Sequence, residues 1–468
     1  IVKKTTGIAV LFAETVSDRV RLREWDLSKV EQTSEHTFSA EGLLSVWLEV
    51  QVYESKFDDK DFEFDFSTVE RDVSEPQSTK LGLGICTLTE ADWVSSNLAR
   101  LHNYQEDSGF GFEAVVVVDQ GAQNFSFPKM TSLRMIRQPN LGGSGGFARI
   151  FQEFATSDLD AFVIMDGDIK FDPRVIERLV AFYRLASKPT VIGTQMLNLR
   201  LPTEVFNDNE VIDSNQVWSV PNPSGRVMFH GNEPNLKTSR PTQIPWWCAI
   251  FPTSVVRDVG MPSPIFIHWD DTDYSMRMAS SGTSMTVIPG CGVWHEPFDA
   301  KAASSWISYF DLRNALLCGT ANGISRHRVL LFALRFIGFS LLTHRYVRAN
   351  FALMALADLG KRPSLQAFEG NQRERLNERI SEFSVIEKTS TEYRYADLSL
   401  AQPPNPSRSR VLIQLSLTSL GLKLGREEKI LVPHSIPSAS LLMFNEVTVL
   451  GRYGGNSEHL IFSYRKFI

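Results

Sequence analysis

From residue 80 onward, short apolar runs alternate with helical patterns, and that alternation limits the fold more than any other feature of the chain. LGLGICTLT, EAVVVVDQG, SLRMIRQPN, AFVIMDGD and TVIGTQML read as strands. ADWVSSNLARLHNYQE, GFARIFQEFAT and FDPRVIERLVAFYRLA read as the intervening helices, the last with Pro173 near its first turn. Runs this apolar suit strands covered on both faces, so the pattern predicts an open, largely parallel α/β sheet layered by helices. Such sheets bind ligands beyond the carboxyl ends of their strands. The polar endings VVVVDQG and VIMDGD are therefore where chemistry is expected.

The flanks read differently. Residues 1–78 are predicted to form a β-rich, sandwich-like module, because RVRLREWDLS, GLLSVWLEVQVYE and FEFDFSTV carry two-residue alternation. Residues 79–302 hold the α/β domain, and the Asn-, Pro- and Gly-rich stretch 200–245 within it suits a substrate-facing excursion. Residues 303–468 read as mostly helical, with terminal β-like segments RVLIQLSL, KILVP and LIFSYRKF. The 48 basic and 54 acidic residues leave a net charge of −6, which argues against a nucleic-acid partner needing a basic surface. The 4 cysteines are too dispersed for a metal knuckle or a disulfide scaffold and suit a reducing compartment. The N-terminal apolar run is too short for a signal peptide. RHRVLLFALRFIGFSLLTHRYVR is broken by Arg335 and predicts a core or interfacial helix, not a span.

Four constellations carry possible chemistry. Asp166 and Asp168 stand two apart at a strand end, where a cation such as Mg²⁺ or Mn²⁺ offsets their repulsion; capping of a solvated strand end is the plainer reading. Asp270, Asp271 and Asp273 follow a second apolar run and supply either a proton acceptor and hydroxyl-binding groups or a helix cap. His295, on a predicted loop after a short strand, is either a metal ligand or a structural imidazole. The run Gly142, Gly143, Ser144, Gly145, Gly146 opens a helix; it is either a phosphate-facing approach or a plain turn, and it is neither GxGxxG nor a GKS/T loop. Trp246, Trp247, Trp269 and Trp294 lie near these acids, where indole faces suit sugar rings or simply fill a core.

NLGGSGGFAR, VVVDQG, MDGD, IPWW, IHWDDTDYSMR and PGCGVWHEPF occur in the order found in the family-2 glycosyltransferases. Over about residues 80–325 the chain resembles the bacterial galactofuranosyltransferases that build the galactan of mycobacterial-type cell walls. The resemblance implies a GT-A-like catalytic domain that transfers galactofuranose from UDP-galactofuranose, with inversion, to a lipid-linked galactan or oligosaccharide acceptor, initiating or extending that polymer. It implies Mn²⁺ or Mg²⁺ on Asp166, Asp168 and His295, and nucleotide-sugar contacts from Gln120, Asn140, Gly142, Gly143 and Asp166. It also implies Asp271 as general base, beside Asp270, with an acceptor subsite of Trp246, Trp247, Trp269, Asp270 and Asp273. A peripheral position on the inner face of a bacterial plasma membrane follows from the lipid-linked acceptor, and a homo-oligomer is an open expectation. Two departures stand out. Gly167 sits where the polymerising enzymes carry a middle acid, and Glu90 where an arginine is common. The competing expectations are a rhamnosyl- or hexopyranosyltransferase and an inactive glycan-binding assembly protein.

Overall fold

The structure, a computed structural model, describes residues 79–127, 130–200, 202, 243–296, 307–342 and 346–359, together with the short strands outside these ranges named below. Near the N-terminus, β1 (Gly7–Glu14), β2 (Arg19–Asp26) and β3 (Ser45–Val52) form an antiparallel sheet in the order β2-β1-β3. The predicted strand FEFDFSTV lies outside the described residues, so one sheet of the expected module is described.

The predicted alternation follows. It runs β4 (Leu81–Thr87), α1 (Ala91–Ser108), β5 (Ala114–Asp119), β6 (Leu133–Arg137), α2 (Gly142–Ala155), β7 (Ala161–Asp166), α3 (Pro173–Leu185) and β8 (Thr190–Asn198). α3 starts where expected because the Asp172 side chain accepts from Arg174 N and Pro173 occupies the first turn. β9 (Val205–Asn207) pairs with β8, while β10 (Glu210–Asp213) and β11 (Trp218–Pro221) pair with each other. The chain returns through β12 (Cys248–Pro252), α4 (Thr253–Val259), α5 (Asp270–Ser280) and β13 (Ser284–His295). α6 (Ile307–Ala321), α7 (Arg326–Leu342) and α8 (Tyr346–Leu359) form the helical region. Beyond them β14 (Lys388–Thr389), β15 (Ile430–Pro433), β16 (Glu446–Arg452) and β17 (His459–Arg465) make a small sheet. KILVP and LIFSYRKF contribute to β15 and β17, while RVLIQLSL lies outside the described residues.

The central sheet runs β13-β8-β12-β7-β4-β5-β6. β12 alone on this path is antiparallel to its neighbours, so β4, β5, β6, β7, β8 and β13 all deliver their carboxyl ends to one edge. Side chains alternate faces along each strand. Val115 and Val117 share one core cluster with Val94 and Leu98 of α1 and Ile176 and Leu179 of α3. Val116 and Val118 share the opposite core cluster with Ile150 and Phe151 of α2 and Tyr274 of α5. Burial of each such side chain contributes about 1.5–3 kcal/mol, which is why these strands carry no polar alternation. A third cluster joins α6, α7 and α8 and takes in Phe266, Ile267 and Trp269 from the segment before α5. The helical region therefore packs directly on the approach to the acidic helix start.

Candidate active site

Asp166 ends β7 and His295 ends β13, yet β12 and β8 lie between those strands. Three strand spacings are roughly 14 Å. The turn after β7 closes the distance by crossing the sheet edge. Lys170 N donates to Trp294 O at 2.8 Å and Trp294 N donates to Lys170 O at 2.8 Å, an antiparallel bridge that carries Asp168 to the end of β13. One ligand atom from each of Asp166, Asp168 and His295 then lies within 4.8 Å of the others. His295 is the last residue of a strand with a register irregularity between Ile288 and Gly292, not a loop residue as its sequence context suggests. His295 Nδ1 is 2.7 Å from the carbonyl of Glu296, which can only accept, so Nδ1 carries a proton and Nε2 faces Asp168 Oδ1 at 3.1 Å. Two carboxylates and one inward Nε2 fit a divalent first-row cation, and the single nitrogen moves the set from Mg²⁺ toward Mn²⁺.

Gly167 has a steric cause. A Cβ there would lie 2.9 Å from both Cβ and Oγ1 of Thr87 and 3.0 Å from the Cys86 carbonyl. Thr87 is fixed because its hydroxyl donates to Glu90 Oε2 at 2.9 Å, and that same oxygen accepts from Leu88 N and Thr89 N. Burial pushes the Glu90 carboxyl upward, but a hydrogen bond from the Thr89 hydroxyl to Oε1, together with these three, holds it below its usual range. Glu90 is thus a fixed anion closing the turn after β4. Burial lifts the Cys86 thiol well above its ordinary range, and the charges of Asp166, Glu90 and Asp270 add to that rise, which groups all three acids around the end of β4.

The residues predicted to meet the nucleotide build the glycine-rich entry to α2. Gln120 Oε1 accepts from Leu141 N at 2.8 Å and its Nε2 donates to Gly142 O at 2.9 Å. Asn140 Oδ1 accepts from Gly142 N at 3.0 Å, and Ser144 N donates to Phe266 O at 3.0 Å. Several amides expected to face phosphate are therefore capped by the chain itself. Gly142 has φ 72° and a Cβ there would stand 2.1 Å from Phe266 O, so no other residue fits the crossing. Asp270 lies over this entry, its Oδ2 3.1 Å from where a Gly143 Cβ would stand.

Asp270 and Asp271 open α5, where the helix dipole favours negative charge. Burial pushes the Asp270 carboxyl up to about 6, opposed by backbone hydrogen bonds and by the nearby charge of His268. Asp271 Oδ1 accepts from Thr272 N at 2.7 Å. Asp273 departs from the expected acceptor subsite. It is 3% exposed, and its carboxylate accepts from Ser263 Oγ at 2.6 Å, Arg277 Nε at 3.2 Å and Asn322 Nδ2 at 2.9 Å. Trp246 and Trp247 depart likewise. They are 4% and 5% exposed and enter cores on opposite faces of the sheet. Trp246 packs on Phe147, Phe151 and Tyr274, and Trp247 Nε1 donates to Thr194 O at 2.8 Å. The turn before β12 sends the two indoles into separate cores, so the pair does not form one sugar platform. Trp269 is half-buried beside the acid pair, and Trp294 is half-buried with Nε1 donating to Pro202 O at 2.9 Å.

The sequence marks Trp269 and the IHWDDTDYSMR motif, but not the backbone path of the segment before α5. Phe266, His268 and Trp269 have φ of 76°, 59° and 68°. Bulky residues reach that region at a cost of roughly 1–3 kcal/mol each and persist only where surrounding contacts over-determine them. α6 supplies such contacts. Asn314 Nδ2 lies 2.9 Å from Ile265 O, 2.6 Å from Ile267 O and 3.1 Å from His268 O, and Asp311 pairs with His268.

Residues 105–319 match the model of the family described as "Glycosyltransferase like family 2". Galactofuranosyltransferase GlfT2 of Mycobacterium tuberculosis is 33% identical over 265 residues, covering 52% of this chain and 41% of that protein. Its counterpart in Mycolicibacterium smegmatis is 32% identical over 269 residues, with shares of 52% and 41%. The chain thus spans less than half the length of these relatives. Among solved structures, mannosyltransferase PcManGT from Pyrobaculum calidifontis in complex with GDP-Man and Mn²⁺ aligns with a TM-score of 0.35 at 14% identity, covering 67% of this chain and 83% of that one. Glucosyl-3-phosphoglycerate synthase from Mycobacterium tuberculosis, in complex with Mn²⁺, UDP-glucose and phosphoglyceric acid, aligns with a TM-score of 0.35 at 9% identity, covering 53% and 81%. The α/β region is thus similar to family-2 glycosyltransferases over residues 105–319, and about half the chain is similar to the mycobacterial galactofuranosyltransferases.

Proposed function

We propose that this chain is a metal-dependent, inverting galactofuranosyltransferase that moves galactofuranose from UDP-galactofuranose to a hydroxyl of a lipid-linked cell-wall galactan, initiating or extending it. The observation that carries the reading is the gathering of Asp166, Asp168 and His295 at the sheet edge, in a segment matching a glycosyltransferase family. Those three residues would hold Mn²⁺ or Mg²⁺, which supplies positive charge to a departing diphosphate. The rest of the chemistry falls to the chain. Gln120 and Asn140 fix the entry to α2, so their part in donor binding is to shape the loop. Asp271 takes the proton of the attacking hydroxyl, Asp270 orients that hydroxyl, and Trp269 walls the acceptor side. Trp246, Trp247 and Asp273 are buried and belong to the framework rather than to the acceptor contacts. One observation favours Asp270 as the base instead: its carboxyl, pushed up to about 6, is better matched to proton transfer near neutral pH.

Purified protein mixed with Mn²⁺, a galactan oligosaccharide and each of UDP-galactofuranose, UDP-galactopyranose, UDP-glucose and dTDP-rhamnose tests the reading. Transfer from the first donor with a β-linked product supports it. Turnover only with another donor, or none with any, overturns it.

Among the described residues no helix is long and apolar enough to cross a membrane. α7 exposes Leu330, Leu331, Leu334, Phe339 and Leu341 beside the exposed Arg326, Arg328 and Arg335. That mixture suits a helix lying in an anionic headgroup layer, at the inner face of the bacterial membrane. Leu330→Ser with Leu334→Ser is expected to lower binding to anionic vesicles while sparing transfer to a soluble acceptor. Undiminished vesicle binding rejects the assignment.

A further inference from the structure

The acid pair is aimed by a loop, and the loop's path is set from outside the sheet. On one side, Ser144 at the start of α2 donates its N–H to Phe266 O at 3.0 Å, and Ile265 N lies 3.3 Å from Ser144 Oγ. On the other, the fully buried Asn314 spans the carbonyls of Ile265, Ile267 and His268 with a single side-chain nitrogen. Its amide is oriented because Asn314 Oδ1 accepts from Arg313 Nη1 at 3.0 Å. Arg313 is itself buried, with its guanidinium 5.9 Å from the Phe310 ring centroid. The carbonyls held by Asn314 belong to the stretch in which Phe266, His268 and Trp269 take left-handed backbone. Asp270 is the next residue.

We propose that Asn314 is a positioning residue for the transfer reaction: by holding the carbonyls of Ile265, Ile267 and His268 it keeps the loop in the strained path that sets Asp270 and Asp271 on the acceptor side of the site. The inference rests on the glycosyltransferase reading above. A buried amide donating to several backbone carbonyls has no apolar substitute, because its loss leaves those carbonyls unpaired in the interior. Without the donor, the positive-φ residues are expected to relax toward ordinary backbone, and the helix start moves with them. A displacement near 1 Å at a catalytic group lowers turnover by up to about 100-fold.

Asn314→Asp is the informative change. It is close in shape and keeps the oxygen that accepts from Arg313, but it removes the nitrogen donor. The expected result is a fall in kcat of about 10–100-fold, with the KM for the sugar nucleotide and the Mn²⁺ affinity unchanged. Amide hydrogen exchange should quicken in residues 266–272 and stay as in the parent in β4, β5 and β7. Exchange does not depend on the substrate. If the parent protein transfers no galactofuranose, the functional reading fails, while quicker exchange confined to 266–272 still upholds the latch. Parent-like kcat and exchange in the folded variant overturn the proposal, as does a loss of protection spread across the sheet with kcat, KM and Mn²⁺ affinity falling together. Should Asn314→Asp fail to fold, Asp311→Ala removes the carboxylate that pairs with His268 on the same loop. It is expected to lower kcat by about two- to fivefold with exchange quickened in the same loop, and parent-like behaviour in both readouts overturns the proposal.

Discussion

The carboxylates that end β7 and those that open α5 are held by different means. Asp166 is the last residue of a strand hydrogen-bonded on both sides, and Asp168 is drawn across the edge by the Lys170–Trp294 bridge. This arrangement rests on the sheet itself. Asp270 and Asp271 follow a loop that contains three left-handed, bulky residues, is pinned by α2 and α6, and packs into the helical cluster. The first set is rigid by construction. The second is rigid only while distant contacts last. On this plan the sheet edge fixes one set of acids, and the helices set the path of the other. Since the family match extends to residue 319, Asp311 and Asn314 of α6 fall within the matched segment.

The largest expected effect lies on the sheet side. Asp168→Asn removes a carboxylate that faces His295 Nε2 at 3.1 Å. Mn²⁺ affinity by calorimetric titration should drop steeply, and UDP release should fall about 10³-fold or more, while the melting temperature changes little. Parent-like Mn²⁺ affinity in this variant would remove the metal from the proposal.

On the loop side, Asp271→Asn is expected to lower kcat by about 10²–10⁴-fold while leaving UDP binding intact. Asp270→Asn should cost less, about 10–100-fold, if it orients the acceptor rather than taking its proton. The reverse ranking of the two variants transfers the base role to Asp270. Single-turnover measurements at saturating donor make the distinction, because they read the chemical step apart from product release.

The third expectation concerns pH. Burial raises the Asp270 carboxyl from 3.8 to about 6 in the folded protein. The folded state therefore holds this proton more tightly than the unfolded chain does. Its contribution favours folding at low pH and is lost as pH rises from about 4 to about 6. Asp270→Asn should accordingly melt at the same or a higher temperature than the parent at pH 7.5, with the difference shrinking toward pH 4. Parent activity should fall as pH drops through about 6, where Asp270 becomes protonated. A variant that melts clearly lower at pH 7.5 contradicts the account of a carboxylate ionised against its surroundings.

The same contrast explains what was legible in the sequence. Strands buried on both faces leave a continuous apolar run, so β4, β5, β7 and β8 could be read directly, and Asp166 and Asp168 stood out as the acids that end one of them. The neighbourhood of His295 was also marked, but the irregularity after Ile288 hid that it ends a strand. The latch left no local trace. FIHW contains no glycine to announce positive φ, and the carbonyls bonded by Asn314 are 46 to 49 positions away from it in the chain. Paired tryptophans stand out by residue type, but only the folded turn before β12 shows that Trp246 and Trp247 part to opposite cores. Gln120 and Asn140 were placed in the right region, yet residue type alone does not separate a side chain that binds a ligand from one that binds the loop beside it.

Gly167 offers the smallest and most local test of how rigid the sheet side is. Gly167→Ala places a methyl group 2.9 Å from Thr87, whose hydroxyl is committed to Glu90, and 3.0 Å from a backbone carbonyl. Overpacking of this kind costs about 1–3 kcal/mol. At about 2–4 °C per kcal/mol for a domain of this size, the melting temperature should fall by about 2–12 °C. Because the residue lies between Asp166 and Asp168, Mn²⁺ affinity should weaken too, by about tenfold, as for other changes that disturb ligand orientation. Gly167→Asp adds a third acid but meets the same obstruction, so it should destabilise the protein at least as much and bind Mn²⁺ no better. If Gly167→Asp instead binds Mn²⁺ more tightly with an unchanged melting temperature, the turn yields easily. The strand end would then be as adjustable as the loop that carries Asp270 and Asp271, and the contrast between the two halves of the site would collapse.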